Sequence, residues 1–545
     1  MGFVLPNIPL SFYGIHLTLC INKDIQTPPR GRLPLMFHLD GVPPLNIFVR
    51  NEGSVMKLLL VSPSRKFGKK VLKAIKMPQL GLHILASLTP NDVDITVVDE
   101  EIREIDFSLD FDLVGISCMT ATANRTYQLS DIFRQRGSKV ILGGIHPTIL
   151  PEEAIEHADA VVIGEAEGCW ADVINDFRKS NLRKFYHVPE PDLSKLPFPR
   201  RDFRIDKALF NCVGLLTTRG CPYACEFCSV TDFYGRKIRH RPVSRVVEDI
   251  KRSGSKAFLI LDDNVAGHPE YSKELFEALI PLGIEWVGQS SVSLAKDREM
   301  LKLCRLSGCA ALFFGLESVS PSSLMGMKKT LKSIGETEEA IKIIQDNGIA
   351  FHPSIILGFD TDTKAIFDDT LEFLARTKLP TMALHVLTPY PGTRIYERFK
   401  DQGRIISHDW SHYDHHTVVF QPKNMTPQEL AEGHHHVQSE FYSFSSILRH
   451  IPFLLRVSPI NLRRTLLFLL LNIAGKSVAQ CIDTSLDWAD NNEKWNFQKI
   501  RPDDDALRGS TIFSLDQAHP PFQALRDGSP YENHGPHPNE ENKIP

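Results

Sequence analysis

Cysteine is scarce, at ten in 545 residues, too thin a supply for a disulfide scaffold. Charge of one sign is lacking too: 62 basic residues stand against 66 acidic ones, a formal net charge of -4. Without a global field to hold a polyanion, nucleic acid is not an expected partner. No apolar run approaches the roughly 20 residues of a membrane span. The longest, from Thr465 to Ala474 behind Arg463 and Arg464, reads as a buried helix or as a basic-flanked helix lying on a membrane surface. The opening MGFVLPNIPLSFYGIHLTLC has no basic leader and is broken by proline and glycine, which makes it a poor match to a signal peptide. A cytoplasmic protein is expected, with peripheral membrane contact left open. What is present is ordinary for a folded chain: 42% apolar and 23% charged residues, enough for sizeable cores. At about 150 residues per domain the length allows three to four domains.

Residues 1–55 contain PPRGRLP and GVPPL without clear periodicity and read as an irregular leader. From Met56 the runs LLLVS, DITVVDE, LVGISC, KVILGG and AVVIGE alternate with helix-like stretches, the pattern of a parallel sheet covered on both faces. Five strands with glycines at their ends predict a doubly wound, Rossmann-like domain over residues 56–195, its ligand over the carboxyl edge of the sheet. After LPFPRRDF the alternation restarts with CVGLLTT, AFLILD, IEWVGQS, AALFFG, FHPSIILG and MALHVLT. Six βα units over residues 205–402 predict a partial (β/α)6 barrel with its chemistry at the carboxyl ends of the strands. Residues 403–499 read as a mainly helical extension, and the Pro-, Gly-, Asp-, Asn- and His-rich residues 500–545 as a disordered tail.

Cys221, Cys225 and Cys228 form CxxxCxxC in TTRGCPYACEFCSV, directly after the first strand of the second domain. Three thiolates from one loop can hold three irons of a four-iron, four-sulfur cluster and leave the fourth iron open. A structural zinc site needs a fourth Cys or His, and no second cysteine pair stands at zinc-ribbon spacing.

This triad, with the aromatic Phe227 before its last cysteine, resembles the signature of the radical S-adenosylmethionine superfamily. The resemblance implies that the three cysteines ligate the cluster, that the open iron takes the amino and carboxylate groups of S-adenosylmethionine, and that Phe227 lies beside the adenine. It also places polar groups on later strand ends, here Asp262 and Asp263, Ser290 and Ser291, and Glu317, the last as the candidate for the ribose hydroxyls. The family's glycine-glycine-acid motif is not intact in AFLILDD, which leaves the methionine-amine contact open. The reading from the residues alone is strand-end capping.

A doubly wound domain ahead of such a barrel is similar to the cobalamin-binding subclass of that superfamily, as are the segments PQLGLHILASL, GGIHPTILPEEA and VVIGEAEGCW. The likeness, over about residues 56–400, implies cobalamin contacts from Gly81, Gly143, Gly144, His146, Gly164 and Glu165. The Asp-x-His-x-x-Gly element that supplies a cobalt-ligating histidine elsewhere is missing from SCMTATANRTYQLSD. His146 then reads as a loop residue near the corrin. The other histidines, His408, His412, His415, His416 and His434 to His436, read as a solvated face or pocket rim rather than a second metal site. Cys304 and Cys309 read as small buried residues. The extension would close the barrel mouth, with Trp410, Tyr413 and nearby histidines toward substrate.

The implied activity is methylation of an unactivated carbon of a lipid, tetrapyrrole or secondary metabolite. One S-adenosylmethionine would supply the methyl group through cobalamin and a second the deoxyadenosyl radical that abstracts hydrogen. A radical cyclase or oxidase without methyl transfer and a non-catalytic cobalamin sensor are the alternatives. Expected partners are a small-molecule or lipid substrate and an electron donor such as flavodoxin or ferredoxin.

Overall fold

The computed structural model describes residues 55–64, 79–188, 190–202, 212–326, 333–449, 472, 473, 475 and 476, together with the backbone of four strands before residue 55. Those strands are β1 (Ile8–Phe12), β2 (Ile15–Ile21), β3 (Arg32–Leu39) and β4 (Val42–Arg50), paired antiparallel in chain order. The leader is therefore not irregular. IHLTLCI alternates apolar and polar residues with the period of a strand, a signal that the surrounding prolines obscure. The tail from residue 500 and most of the Thr465–Ala474 run lie outside the described residues. Among the described residues no helix is long and apolar enough to cross a membrane.

The first α/β domain carries β5 (Met56–Ser62), β6 (Val93–Asp99), β7 (Leu113–Ser117), β8 (Lys139–Gly143), β9 (Ala160–Ile163) and β10 (Phe185–His187). All pairs are parallel, in the order β10-β9-β8-β7-β5-β6. Leu58, Leu59, Leu60 and Val61 are all fully buried, as expected of a strand covered on both faces. The chain reverses direction across the sheet between β5 and β7, so ligand is expected over their carboxyl ends. The sixth strand, FYH, is too short to show a period.

The second domain is a curled sheet of six parallel strands in sequential order, β11 (Val213–Leu215), β14 (Ala257–Ile260), β15 (Glu285–Ser290), β16 (Cys309–Glu317), β17 (Ala350–Leu357) and β18 (Ala383–Val386). A short antiparallel ribbon, β12 (Thr218–Arg219) with β13 (Arg239–His240), interrupts the series. The half-barrel is held from outside by helices whose apolar faces meet the strands; Phe276 stacks on Trp286 at 5.5 Å and Phe314 on Phe351 at 4.3 Å. Burying each such ring contributes about 1.5–3 kcal/mol. Cys304 and Cys309 are fully buried in this core.

The extension is not helical at first. It runs as a loop tied by the bridge Ile405–Phe420, then enters a helix over Pro427–Phe441. Thr426 and Glu429 form a reciprocal cap there and Pro427 occupies the first turn, where its missing N–H costs nothing. The helix lies against Ala365–Thr377 closely enough that a Cβ on Gly433 would come within 2.1 Å of the Phe367 ring.

Candidate active site

β12 ends next to Gly220, whose φ of +95° and whose absent Cβ, 2.7 Å from the Lys237 carbonyl if it were there, both require glycine. The chain then opens into the cysteine loop. Outside, the loop is fixed by the Ile395 N–H donating to the Glu226 carbonyl at 3.0 Å, and by Arg398 pairing with the Glu226 carboxylate at 2.8 Å. Inside, Cys221, Cys225 and Cys228 all face a cavity of about 520 Å³. Burial pushes the Cys228 thiol up to about 12, and Cys225 and Cys221 beside it act in the same direction. Such thiols release their protons readily only to a metal centre.

Strand ends form the rest of that wall. Phe227, Asp263, Asn264, Ser290 and Glu317 line it. Phe227 meets Phe359 edge-on at 5.8 Å, and the Ser290 hydroxyl donates to Asn264 Oδ1 at 3.3 Å. Glu317 sits where the β16–β17 register breaks and has φ +69°. A left-handed backbone costs a residue with a Cβ about 1–2 kcal/mol, and such strain persists where the surroundings fix it, commonly at functional sites. Asp262 is placed differently from the expectation. It is fully buried and accepts from the Thr217 N–H at 2.7 Å, the Thr218 hydroxyl at 2.8 Å and the Thr217 hydroxyl. Its carboxylate ties the end of β14 to the entry of β12, and the neighbouring Asp263, which accepts from the Gly220 N–H at 3.2 Å, is the acid on the cavity wall.

The extension closes one side. His415, also left-handed at φ +71°, lines the cavity beside His385 and Tyr390. Its carbonyl accepts from the Val386 N–H at 2.7 Å. The Tyr390 hydroxyl donates to the Tyr413 carbonyl at 2.9 Å, so it accepts from His415 Nε2 at 3.0 Å. Trp410 and Tyr413 do not line the cavity: Tyr413 is fully buried with its hydroxyl on the Ser407 carbonyl at 2.8 Å. His434, far from being solvated, is fully buried on the inner face of its helix.

The first domain completes the chamber. Met119, Thr120, Ala121 and Ile145, from the carboxyl ends of β7 and β8, face the same 520 Å³ space. A second cavity, about 150 Å³, lies at the switch point, lined by Gly81, Gly115, Gly143, Gly144 and Gly164, with Trp170 behind. A Cβ on Gly81 would meet no protein atom within 4 Å, so the glycine opens onto this space. Gly144, at φ +105°, lies so close to Cys118 that a Cβ would stand 2.6 Å from its carbonyl oxygen. His146 lines neither cavity. It is fully buried, with Nδ1 3.3 Å from the Thr120 hydroxyl and Nε2 3.1 Å from the Tyr127 hydroxyl. Glu165 lines the smaller cavity, but its carboxylate is taken by Arg219 and Arg239 of the barrel.

Comparison with known proteins agrees with this geometry. The Radical SAM superfamily profile matches residues 215–374 and the B12 binding domain profile residues 74–174. A bacteriochlorophyllide d C-12(1)-methyltransferase of Chlorobaculum tepidum is 31% identical over 433 residues, covering 76% of this chain and 93% of that protein. The chain belongs to the cobalamin-binding radical S-adenosylmethionine family. A bacteriochlorophyllide d C-8(2)-methyltransferase of the same organism is 30% identical, covering 62% of this chain and 79% of its own length. The structure of the cobalamin-dependent radical enzyme OxsB, with aqua-cobalamin and S-adenosylmethionine bound, shares the fold with a TM-score of 0.57 at 15% identity, over 78% of this chain and 72% of that one.

The chain is accordingly an enzyme, and its cofactors are those of the family: a four-iron, four-sulfur cluster, S-adenosylmethionine and cobalamin. Its residues fit them. Cys221, Cys225 and Cys228 come from one loop and face one cavity, a donor set that can hold three irons of such a cluster. Gly81, Gly143, Gly144 and Gly164 leave the wall of the smaller cavity without side chains, which suits close approach of a large ligand. Residues the sequence reading passed over are Met119, Thr120 and Ile145, Asn264, His385 and Tyr390; only their positions at strand ends could have marked them.

Proposed function

We propose that the enzyme transfers a methyl group to an unactivated carbon, and that a side chain of a tetrapyrrole is the substrate class its relatives favour. The observation that carries this reading is the single chamber of about 520 Å³ walled at once by the cysteine loop, the barrel strand ends and the switch-point loops of the cobalamin domain. Methyl transfer to a carbon radical needs its radical source and its methyl carrier to open onto one substrate; the cluster with S-adenosylmethionine supplies the first and cobalamin the second.

The protein's own part is placement. Cys221, Cys225 and Cys228 hold the cluster; Phe227 packs on the adenine; Glu317 accepts from the ribose hydroxyls; Asp263, not Asp262, takes the methionine ammonium. Gly81, Gly143, Gly144 and Gly164 admit the cobalamin tail. His385, His415 and Tyr390 line the side left for substrate. A donor of the flavodoxin or ferredoxin type would supply the electron for the cluster. The test is incubation of the reduced, fully loaded enzyme with magnesium and metal-free chlorins and S-adenosylmethionine labelled in its methyl group. A chlorin product carrying one labelled methyl supports the reading, and a product dehydrogenated or cyclised without label replaces it with the cyclase or oxidase.

A further inference from the structure

Arg219 stands two residues before the first cysteine of the loop, on β12, in register with Arg239 on β13. Both arginines reach into one turn of the first domain. Arg219 pairs with Glu165 and, at 2.5 Å, with Glu167, while Arg239 takes the other oxygen of Glu165. Arg239 also donates to the Pro191 carbonyl at 3.2 Å. The side chains of Arg219, Glu165 and Glu167 are 9%, 5% and 7% exposed, and the exposed Glu190 adds a third carboxylate 3.4 Å from Arg239 Nε. A buried network of this kind holds its members in one geometry, because removing a partner strands a desolvated charge.

Three of these residues wall the cobalamin-side cavity, and Arg219 is joined to the cysteine loop through the backbone of Gly220. Glu165, Glu167, Arg219 and Tyr234 wall the glycine-lined cavity, and the Arg219 guanidinium lies over the Tyr234 ring at 5.6 Å. Toward the cluster, Gly220 has little room: its N–H is held by Asp263 at 3.2 Å and a Cβ on it would stand 2.7 Å from the Lys237 carbonyl oxygen. A shift of Arg219 is therefore passed to Cys221. On the cavity side, Glu167 and Tyr234 both line the wall and both contact Arg219.

We infer that Glu165, Glu167 and Arg219 couple the two cofactor sites, with Arg219 a positioning residue for Cys221 and Glu165 a strut rather than a cobalamin contact. Coupling of this sort is reciprocal. Cobalamin binds more tightly when the cluster is in place, and the reduced cluster changes its spectrum when cobalamin arrives.

The experiment titrates cob(II)alamin into the anaerobic full-length protein with and without reconstituted cluster, following corrin absorbance, and records the electron paramagnetic resonance spectrum of the reduced cluster with and without cobalamin. The wild type is expected to show affinities differing by at least about fivefold, the low end of measured site-to-site couplings, and a cobalamin-dependent cluster spectrum. Glu167→Gln, which leaves Glu165 and both arginines paired, should keep its iron while the affinity ratio falls toward one and the spectral change disappears. If that variant loses its cluster, Arg219→Lys, which keeps the charge without the fork, is read in the same way. A ratio of one in the wild type, or a wild-type ratio in the variant that retains its iron, overturns the inference.

Discussion

The indole N–H of Trp410 donates to Oε1 of Glu153 at 2.8 Å, joining residues 257 apart in sequence. The same carboxylate oxygen accepts from the Tyr127 hydroxyl at 2.9 Å and lies 3.3 Å from His146 Nε2. The extension is thus clamped to the cobalamin domain by Trp410, which does not line the chamber, whereas His415 and Tyr390 do. Trp410→Phe should lower stability by about 1–3 kcal/mol, the value of a hydrogen bond to a charged group plus the donor site it empties, with cofactor content unchanged. Thermal unfolding checks this; an unchanged melting temperature contradicts the clamp.

His434 makes the fold acid-sensitive. Burial holds it neutral down to about 3, with His416 beside it acting the same way, and its Nε2 donates to the Leu384 carbonyl at 3.3 Å. In the unfolded chain the group takes up its proton near pH 6.5. Its contribution to stability is therefore complete above about pH 6.5 and is lost as pH falls toward 3, by up to about 1.4 kcal/mol per pH unit. Denaturant midpoints measured at pH 7.5 and 5 should diverge less in His434→Gln than in the wild type. Equal divergence would remove His434 from the account.

Glu317 separates function from stability. Glu317→Gly relieves the left-handed strain at φ +69°, so its melting temperature should hold or rise, yet loss of the carboxylate should weaken S-adenosylmethionine binding by about 10- to 100-fold, the range for hydrogen bonds to a charged group. Glu317→Gln should weaken it less. A variant that melts earlier but binds normally would make Glu317 a structural residue only.

The cysteine loop is tested by iron. Anaerobically reconstituted enzyme should hold about four irons, and replacing Cys221, Cys225 and Cys228 together with alanine should abolish them and the charge-transfer absorbance. Retention of both would reject the assignment.

Much of this architecture is local in sequence and was therefore legible. The strand runs, the glycines at their ends and the spacing of Cys221, Cys225 and Cys228 are set by neighbours a few residues away, and Glu317 and Ser290 fall where a strand ends over the chamber. Choosing between Asp262 and Asp263 was beyond that logic. Both lie past the end of β14, where the alternation of faces lapses, and the choice is made by Thr217 and Thr218, some 45 residues earlier. His146 sits within a cobalamin-like segment, yet Thr120 and Tyr127, reachable only through the fold, draw its ring inward. Glu165 was legible as a cavity residue but not as a partner of Arg219, 54 residues away. In the leader, prolines hid the alternation of IHLTLCI.

Methyl transfer is the central claim, and the fate of S-adenosylmethionine tests it most directly. Reduced enzyme carrying all three cofactors is incubated with the chlorin proposed as its substrate, and S-adenosylhomocysteine and deoxyadenosine are quantified against product. Each product should be accompanied by one of each, two molecules of S-adenosylmethionine consumed in all. Deoxyadenosine formed in step with product while S-adenosylhomocysteine never appears would contradict the claim.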